Sequence, residues 1–149
     1  MKSIFQIAAS LACAVALTAC GGGGSDTPAN NNAATQPVFS KTDTTVGTGT
    51  EAVAGDTVTV HYTGYLYAAT ATGGKGSQFE TSVGKTPFTF VLGRGNVIAG
   101  WEQGVPGMKV GGKRTLVIPA SLAYGATAQG PIPANSALVF DVEMVAIKR

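Results

Sequence analysis

The chain has 149 residues, 44% of them hydrophobic and only 12% charged, with 21 glycines and a formal net charge of +2. That length allows one domain plus accessory segments, and a nearly neutral chain with no run of Lys or Arg carries no electrostatic footprint for nucleic acid. One histidine, His61, excludes any site that needs two, and both cysteines, Cys13 and Cys20, fall in the N-terminal apolar stretch. The rest of the chain therefore has no disulfide framework, cysteine metal site or thiol nucleophile.

The N-terminus reads as an export signal. Lys2 supplies a positive n-region, Ile4 to Leu17 a short apolar h-region, and Thr18-Ala19 the small residues before a cleavage point. The apolar run is short for a membrane-crossing helix, which needs roughly 20 residues. Leu17-Thr18-Ala19-Cys20-Gly21 resembles a bacterial lipobox. The resemblance implies cleavage before Cys20 and acylation of its thiol, with enough acyl chains for stable anchoring. Gly21 in place of Asp implies onward sorting to the outer membrane, facing the periplasm. The alternative is a plain secretory signal with an incidental cysteine. Gly21 to Pro37 (GGGGSDTPANNNAATQP) holds no large apolar residue and predicts a flexible tether. The organisation expected is a signal over 1–19, a lipidated cysteine and linker over 20–37, and a globular domain over 38–149.

Within that domain, Val53 to Asp56 predicts a turn. Thr57 to Tyr62 (TVTVHY) alternates in period two with β-branched residues and predicts a strand that Tyr65 to Tyr67 extends. Ala68 to Ser77 is a loop of small residues. Phe88 to Leu92, Lys113 to Ile118 and Ala137 to Ile147 predict three further strands. Helical spacing of Ile98, Trp101, Glu102 and Val105 predicts one helix over 96–105, with Asn96 as its cap and Pro106-Gly107 as its stop. Short strands with a single helix point to an α+β fold, an antiparallel sheet packed on a helix. Lys109 to Arg114, with three cations beside glycines, reads as a solvated turn; contact with anionic lipid or a partner is the alternative.

A set of short blocks then carries a resemblance from Gly55 to Ile147. They run in order through His61-Tyr62-Thr63-Gly64, Phe79-Glu80, Pro87-Phe88-Thr89-Phe90, Val97-Ile98-Ala99-Gly100-Trp101, Met108 to Arg114, Leu122-Ala123-Tyr124-Gly125 and Leu138 to Glu143. This series resembles the FKBP-type peptidyl-prolyl cis/trans isomerases. The resemblance implies a twisted antiparallel sheet of about five strands curled around one short α-helix. It also implies binding of an Xaa-Pro segment in an apolar cup, with no cofactor and no metal. Carried over by position, the catalytic cup comprises Tyr62, Phe79, Glu80, Phe88, Val97, Ile98, Trp101, Tyr124, Ile132 and Phe140. Trp101 is the implied floor, Tyr62 and Tyr124 the implied rim hydroxyls, and the Ile98 N–H an implied donor to ligand. Glu80 stands where the family usually has Asp. The Ala68 to Ser77 loop is longer than in small eukaryotic members, and the 126–133 flap is shorter and lacks their basic or His tip.

The partners implied are proline-containing polypeptides, macrolides such as tacrolimus and rapamycin, and the membrane through the anchor, with the protein itself a monomer. Each site residue also has a structural reading. Trp101 and Phe140 suit core packing, and Tyr62 and Tyr124 suit structural tyrosines with satisfied hydroxyls. His61, next to Tyr62 on an alternating strand, faces away from the cup and reads as structural. A non-catalytic module that holds proline-containing segments is the rival to the enzyme.

Overall fold

The computed structural model describes residues 36–149, so the expected signal, Cys20 and residues 20–35 of the tether lie outside the described residues. Its elements in chain order are β1 (Ser40–Thr45), β2 (Thr57–Tyr67), β3 (Lys75–Thr81), β4 (Phe88–Val91), α1 (Ala99–Gly104), β5 (Lys113–Ile118) and β6 (Leu138–Lys148). The strands form one antiparallel six-stranded sheet in the order β1-β5-β6-β2-β3, with β4 also on β2. The β2 strand serves two partners along one edge: Thr57 to Val60 pair with β4, and Thr63 to Tyr67 pair with β3.

The alternation of β2, β5 and β6 sets their inner faces. Val58 and Val60, then Leu116 and Ile118, then Leu138, Phe140, Val142 and Met144 are all buried. They close over Trp101 and Val105 of the helical segment. Each such side chain contributes about 1.5–3 kcal/mol on full burial, so this shared face is the main source of stability. The approach of α1 to the sheet depends on two glycines. A Cβ at Gly100 would lie 2.5 Å from Ile118, and one at Gly104 would lie 2.5 Å from Leu116. Four residues on the helix thus match two on the strand, and the helix backbone lies directly on β5.

The helix is shorter than the spacing predicts. It spans Ala99–Gly104, its N-cap is Ile98 with no side-chain cap, and Asn96 does not cap it. Two strands carry no strong sequence pattern. The β1 strand is exposed at all six positions, and β3 begins at Lys75 inside the stretch expected to be loop. The turn at Val53 to Asp56 is as expected, with the Asp56 N–H donating to the Val53 carbonyl at 3.1 Å.

The reading of Lys109 to Arg114 as a solvated turn fails at Arg114, which is buried. Its Nη1 donates to the Gly104 carbonyl at 2.7 Å and the Pro106 carbonyl at 3.0 Å, and its Nε and Nη2 donate to Asp43 at 2.5 and 3.0 Å. The end of a helix leaves carbonyls without partners, and Arg114 takes one of them while fixing β1 to the sheet. Among the described residues no helix is long and apolar enough to cross a membrane.

Candidate active site

The helix and the inner face of the sheet leave one aromatic cavity of about 390 Å³. Trp101 occupies its base. Its ring centroid lies 5.2 Å from Tyr62 and 5.3 Å from Phe140, at interplanar angles of 82° and 89°. Phe88 stands 6.0 Å from Trp101, and Phe79 stands 5.8 Å from Phe140. Edge-to-face pairs of this kind fix ring orientation as well as burying area. Exposure separates base from rim: Trp101 and Phe140 are each 4% exposed, whereas Phe88 and Tyr124 are 39% and 38%.

Local features of the chain put each side chain in place. Gly64 on β2 makes room for the cup, since a Cβ there would lie 2.5 Å from the Phe79 ring and 2.8 Å from the Phe140 ring. Tyr62 sits where β2 passes from its β3 partner to its β4 partner. There Ser82 replaces the ladder: its N–H donates to the Tyr62 carbonyl at 2.9 Å, and its hydroxyl accepts the Tyr62 N–H at 2.9 Å. His61 Nδ1 lies 3.2 Å from the same hydroxyl and the side chain does not line the cup, as the alternation requires.

The flap after Tyr124 is a small closed hairpin. Gln129 and Ile132 exchange backbone hydrogen bonds of 2.9 and 2.8 Å, and the Asn135 N–H closes the neck on the Gly125 carbonyl at 2.7 Å. The result is that Ile132, 5% exposed, is turned into the cup. Val97 and Ile98 enter from the loop between β4 and α1. The Ile98 carbonyl accepts from the Trp101 and Glu102 N–H groups at 2.9 and 3.2 Å.

The electrostatics are simple. Glu80 is the one charged residue lining the cavity. Burial, with the neighbouring Glu80 carboxylate adding to it, pushes the Tyr62 hydroxyl up to about 12. Burial and Glu80 also raise Tyr124. Both phenols therefore stay protonated and can donate. The Trp101 Nε1–H is buried with no hydrogen-bond partner in the protein. Its aromatic neighbours Tyr62, Phe88 and Phe140 stand near-perpendicular to it. Among the described residues no cluster of three or more His, Cys, Asp or Glu is placed to hold a metal ion.

All ten residues expected in the cup, from Tyr62 to Phe140, line this one cavity. Three more line it that were not assigned to it: Asn96, Gln129 and Pro131. Asn96 stands two residues before the helix N-cap. Gln129 and Pro131 flank Gly130, whose φ of 53° makes the turn of the flap. A Gln-Gly-Pro turn beside Ile132 is the sequence signal that marks them.

A family model described as FKBP-type peptidyl-prolyl cis-trans isomerase matches residues 48–145. The chain belongs to this family. An FK506-binding protein of Neisseria meningitidis is 46% identical over 103 residues, a match covering 68% of this chain and 88% of that protein. FK506-binding protein 4 of Gibberella zeae is 48% identical over 106 residues, 71% of this chain but only 20% of that protein. The chain thus spans about a fifth of the fungal relatives it matches. Among solved structures, AtFKBP13 superposes with a TM-score of 0.63 at 40% identity, covering 74% of this chain and 93% of that one. FkpA from Escherichia coli superposes with a TM-score of 0.62 at 39% identity, covering 74% of this chain and 48% of that one. The match covers 88% of the Neisseria protein and 93% of the solved AtFKBP13 chain, which is folded with little beyond this domain. Here it coincides with the compact unit Gln36–Arg149.

Proposed function

We propose that this FKBP domain accelerates cis/trans rotation of Xaa-Pro peptide bonds in exported polypeptides. The observation that carries the proposal is the cup itself: one cavity lined mainly by aromatic and aliphatic side chains over Trp101, with the amides of Asn96 and Gln129 and a single charged residue, Glu80. The reaction makes and breaks no covalent bond. It crosses a barrier of ~18–20 kcal/mol set by amide resonance, between proline isomers that differ by about 0.5–1 kcal/mol. On twisting, the carbonyl loses negative charge and the nitrogen regains its lone pair. The planar amide is the more polar form and is better solvated by water. A dry apolar cup therefore favours the twisted form over the planar one, which is differential binding of the transition state. An acceleration of 10⁴ needs only about 5.5 kcal/mol. The proline ring is placed over Trp101, with Tyr62, Tyr124 and the Ile98 N–H as donors to the flanking carbonyls. An apolar residue before proline is preferred, since Val97, Ile132 and Phe88 would meet it.

The relatives are named for FK506 binding, and the same cup is proposed to take tacrolimus- and rapamycin-like macrolides. The protein acts as a monomer on proline-containing clients in the cell envelope. Acylated Cys20 anchors it to the outer membrane facing the periplasm. Support for this address comes from the lipobox-like Leu17 to Gly21 alone.

A non-catalytic module that only holds proline segments is the second reading, and Glu80, one methylene longer than the usual Asp, favours it. A proline-isomerisation assay on Gln36–Arg149 with a panel of Xaa-Pro peptides decides between them. Acceleration without metal or nucleotide supports the enzyme. Folded protein that binds the peptides with no acceleration above buffer leaves the binding module.

A further inference from the structure

The wall of the cup formed by Val97 and Ile98 belongs to no helix or strand. It is the end of a loop that leaves β4 at Val91 and meets α1 at Ala99. The start of that loop is held, with the Leu92 N–H on the Asp56 carbonyl at 2.9 Å. Its end is held through the Ile98 carbonyl, as described above. Between them the backbone turns through two glycines in the left-handed region, Gly93 at φ 79° and Gly95 at φ 71°. Glycine enters that region at no steric cost and equally leaves it, so the turn needs an outside tie.

Glu102 supplies it. Its Oε2 accepts the Gly93 N–H at 2.6 Å and its Oε1 accepts the Gly95 N–H at 2.9 Å. Within Gly93 to Val97 both N–H groups that donate end on this one carboxylate, among the described residues. These are short, charge-assisted bonds. Glu102 does not line the cavity; its neighbour in sequence, Trp101, is the floor. The same residue also donates its own N–H to the Ile98 carbonyl at 3.2 Å. The Ile98 end of the wall is thus fastened to the helix by backbone bonds, and the Gly93–Gly95 turn by the Glu102 side chain.

We infer that Glu102 is a positioning residue for the cup: its carboxylate clamps the 93–97 turn and so sets where Val97 and the Ile98 N–H stand relative to Trp101. The inference rests on the isomerase reading of the cup, and it makes a claim about one residue outside it. Removing the clamp leaves the floor intact and lets the wall move. The effect falls on capture of the peptide and on the rate together, because a wall displaced by about 1 Å is enough to cost 10²-fold in a positioned reaction.

The test compares wild-type Gln36–Arg149 with Glu102→Ala and Glu102→Gln, using a short peptide with Leu before proline. Amide hydrogen exchange at Gly93, Gly95 and Ile98 is followed alongside melting curves. Glu102→Ala is expected to lower kcat/KM by roughly tenfold or more and to speed exchange at all three amides. Glu102→Gln keeps one carbonyl acceptor and should recover part of both. Glu102→Ala that melts lower yet keeps wild-type kcat/KM and Ile98 exchange while folded would overturn the inference and leave Glu102 a purely stabilising residue. The wild-type rate alone judges the isomerase reading. Were it no faster than buffer, the peptide dissociation constant would take the place of kcat/KM. Equal affinity in all three proteins would then count against the clamp.

Discussion

Tyr62 stands edge-on to Trp101, with ring centroids 5.2 Å apart at 82°. The tyrosine reaches that position from the one point on β2 where the strand changes partners, and its own N–H is held by the Ser82 hydroxyl. The floor of the cup is therefore set by the helix and its wall by a break in the sheet.

Two of the aromatic neighbours of Trp101, Tyr62 and Phe140, should respond differently to substitution. Tyr62→Phe keeps the ring and removes one hydroxyl, worth about 1 kcal/mol as a hydrogen bond, so the isomerisation rate should fall by about fivefold. Phe140 is 4% exposed and touches both Trp101 and Phe79. Phe140→Ala should cost roughly 3–5 kcal/mol of stability and lower the rate further by opening the cup. Rates measured with melting curves check both. Full activity in both variants would mean the proline binds elsewhere.

Glu80 acts on Tyr62 through hydrogen bonding and then charge, and on Tyr124 through charge. Its carboxylate adds to the burial that raises Tyr62 and Tyr124. Glu80→Gln removes the anion and leaves burial in place, so the Tyr62 hydroxyl should titrate lower than in the wild type. Tyrosine absorbance followed through an alkaline titration reads the change. An unmoved titration would place the carboxylate out of reach of the hydroxyl and make burial the whole cause.

The parts legible in the sequence are those where one face is buried. Val58 and Val60, or Leu116 and Ile118, alternate because water covers one side and core the other. The β1 strand has no such contrast, since SKTDTT is exposed throughout. It is held by Asp43 on Arg114, a pair 71 residues apart in the chain, which no local pattern reports. Arg114 itself looked solvated because its neighbours are Lys113 and two glycines; the carbonyls of Gly104 and Pro106 that draw it inward are visible only once the helix end is placed. The cup residues are legible through family resemblance, whereas Glu102, by its spacing one more helical position, holds the loop through bonds to backbone N–H groups that spacing does not encode.

The address of the protein is open to a direct measurement. Cys20 is expected to be the first residue of the mature chain and to carry acyl groups on its thiol, because Leu17-Thr18-Ala19 precede it and Gly21 follows. Intact-mass analysis of the membrane fraction should show a chain that starts at Cys20 with added lipid mass. Cys20→Ser should release soluble protein or leave an uncleaved precursor. A mature chain without lipid, or one cut elsewhere, would reject the anchor and leave a soluble exported isomerase.

The Asp43–Arg114 pair sets a limit on stability in acid. The Arg114 hydrogen bond holds the Asp43 carboxyl below its ordinary value of 3.8, against an opposing effect of burial. Between the folded and unfolded values the unfolded chain binds more protons, so stability rises with pH there. The contribution is complete above 3.8 and is lost as pH falls through the lower, folded value. Its size is modest, about 1 kcal/mol, because the Asp43 side chain is 42% exposed and solvent screens it. Asp43→Asn should therefore be less stable than the wild type near neutrality, and the two should converge as the pH is lowered through that window. Denaturation midpoints at a series of pH values measure the gap. A gap that stays constant into acid would assign the loss to packing of β1 rather than to the charge on Asp43.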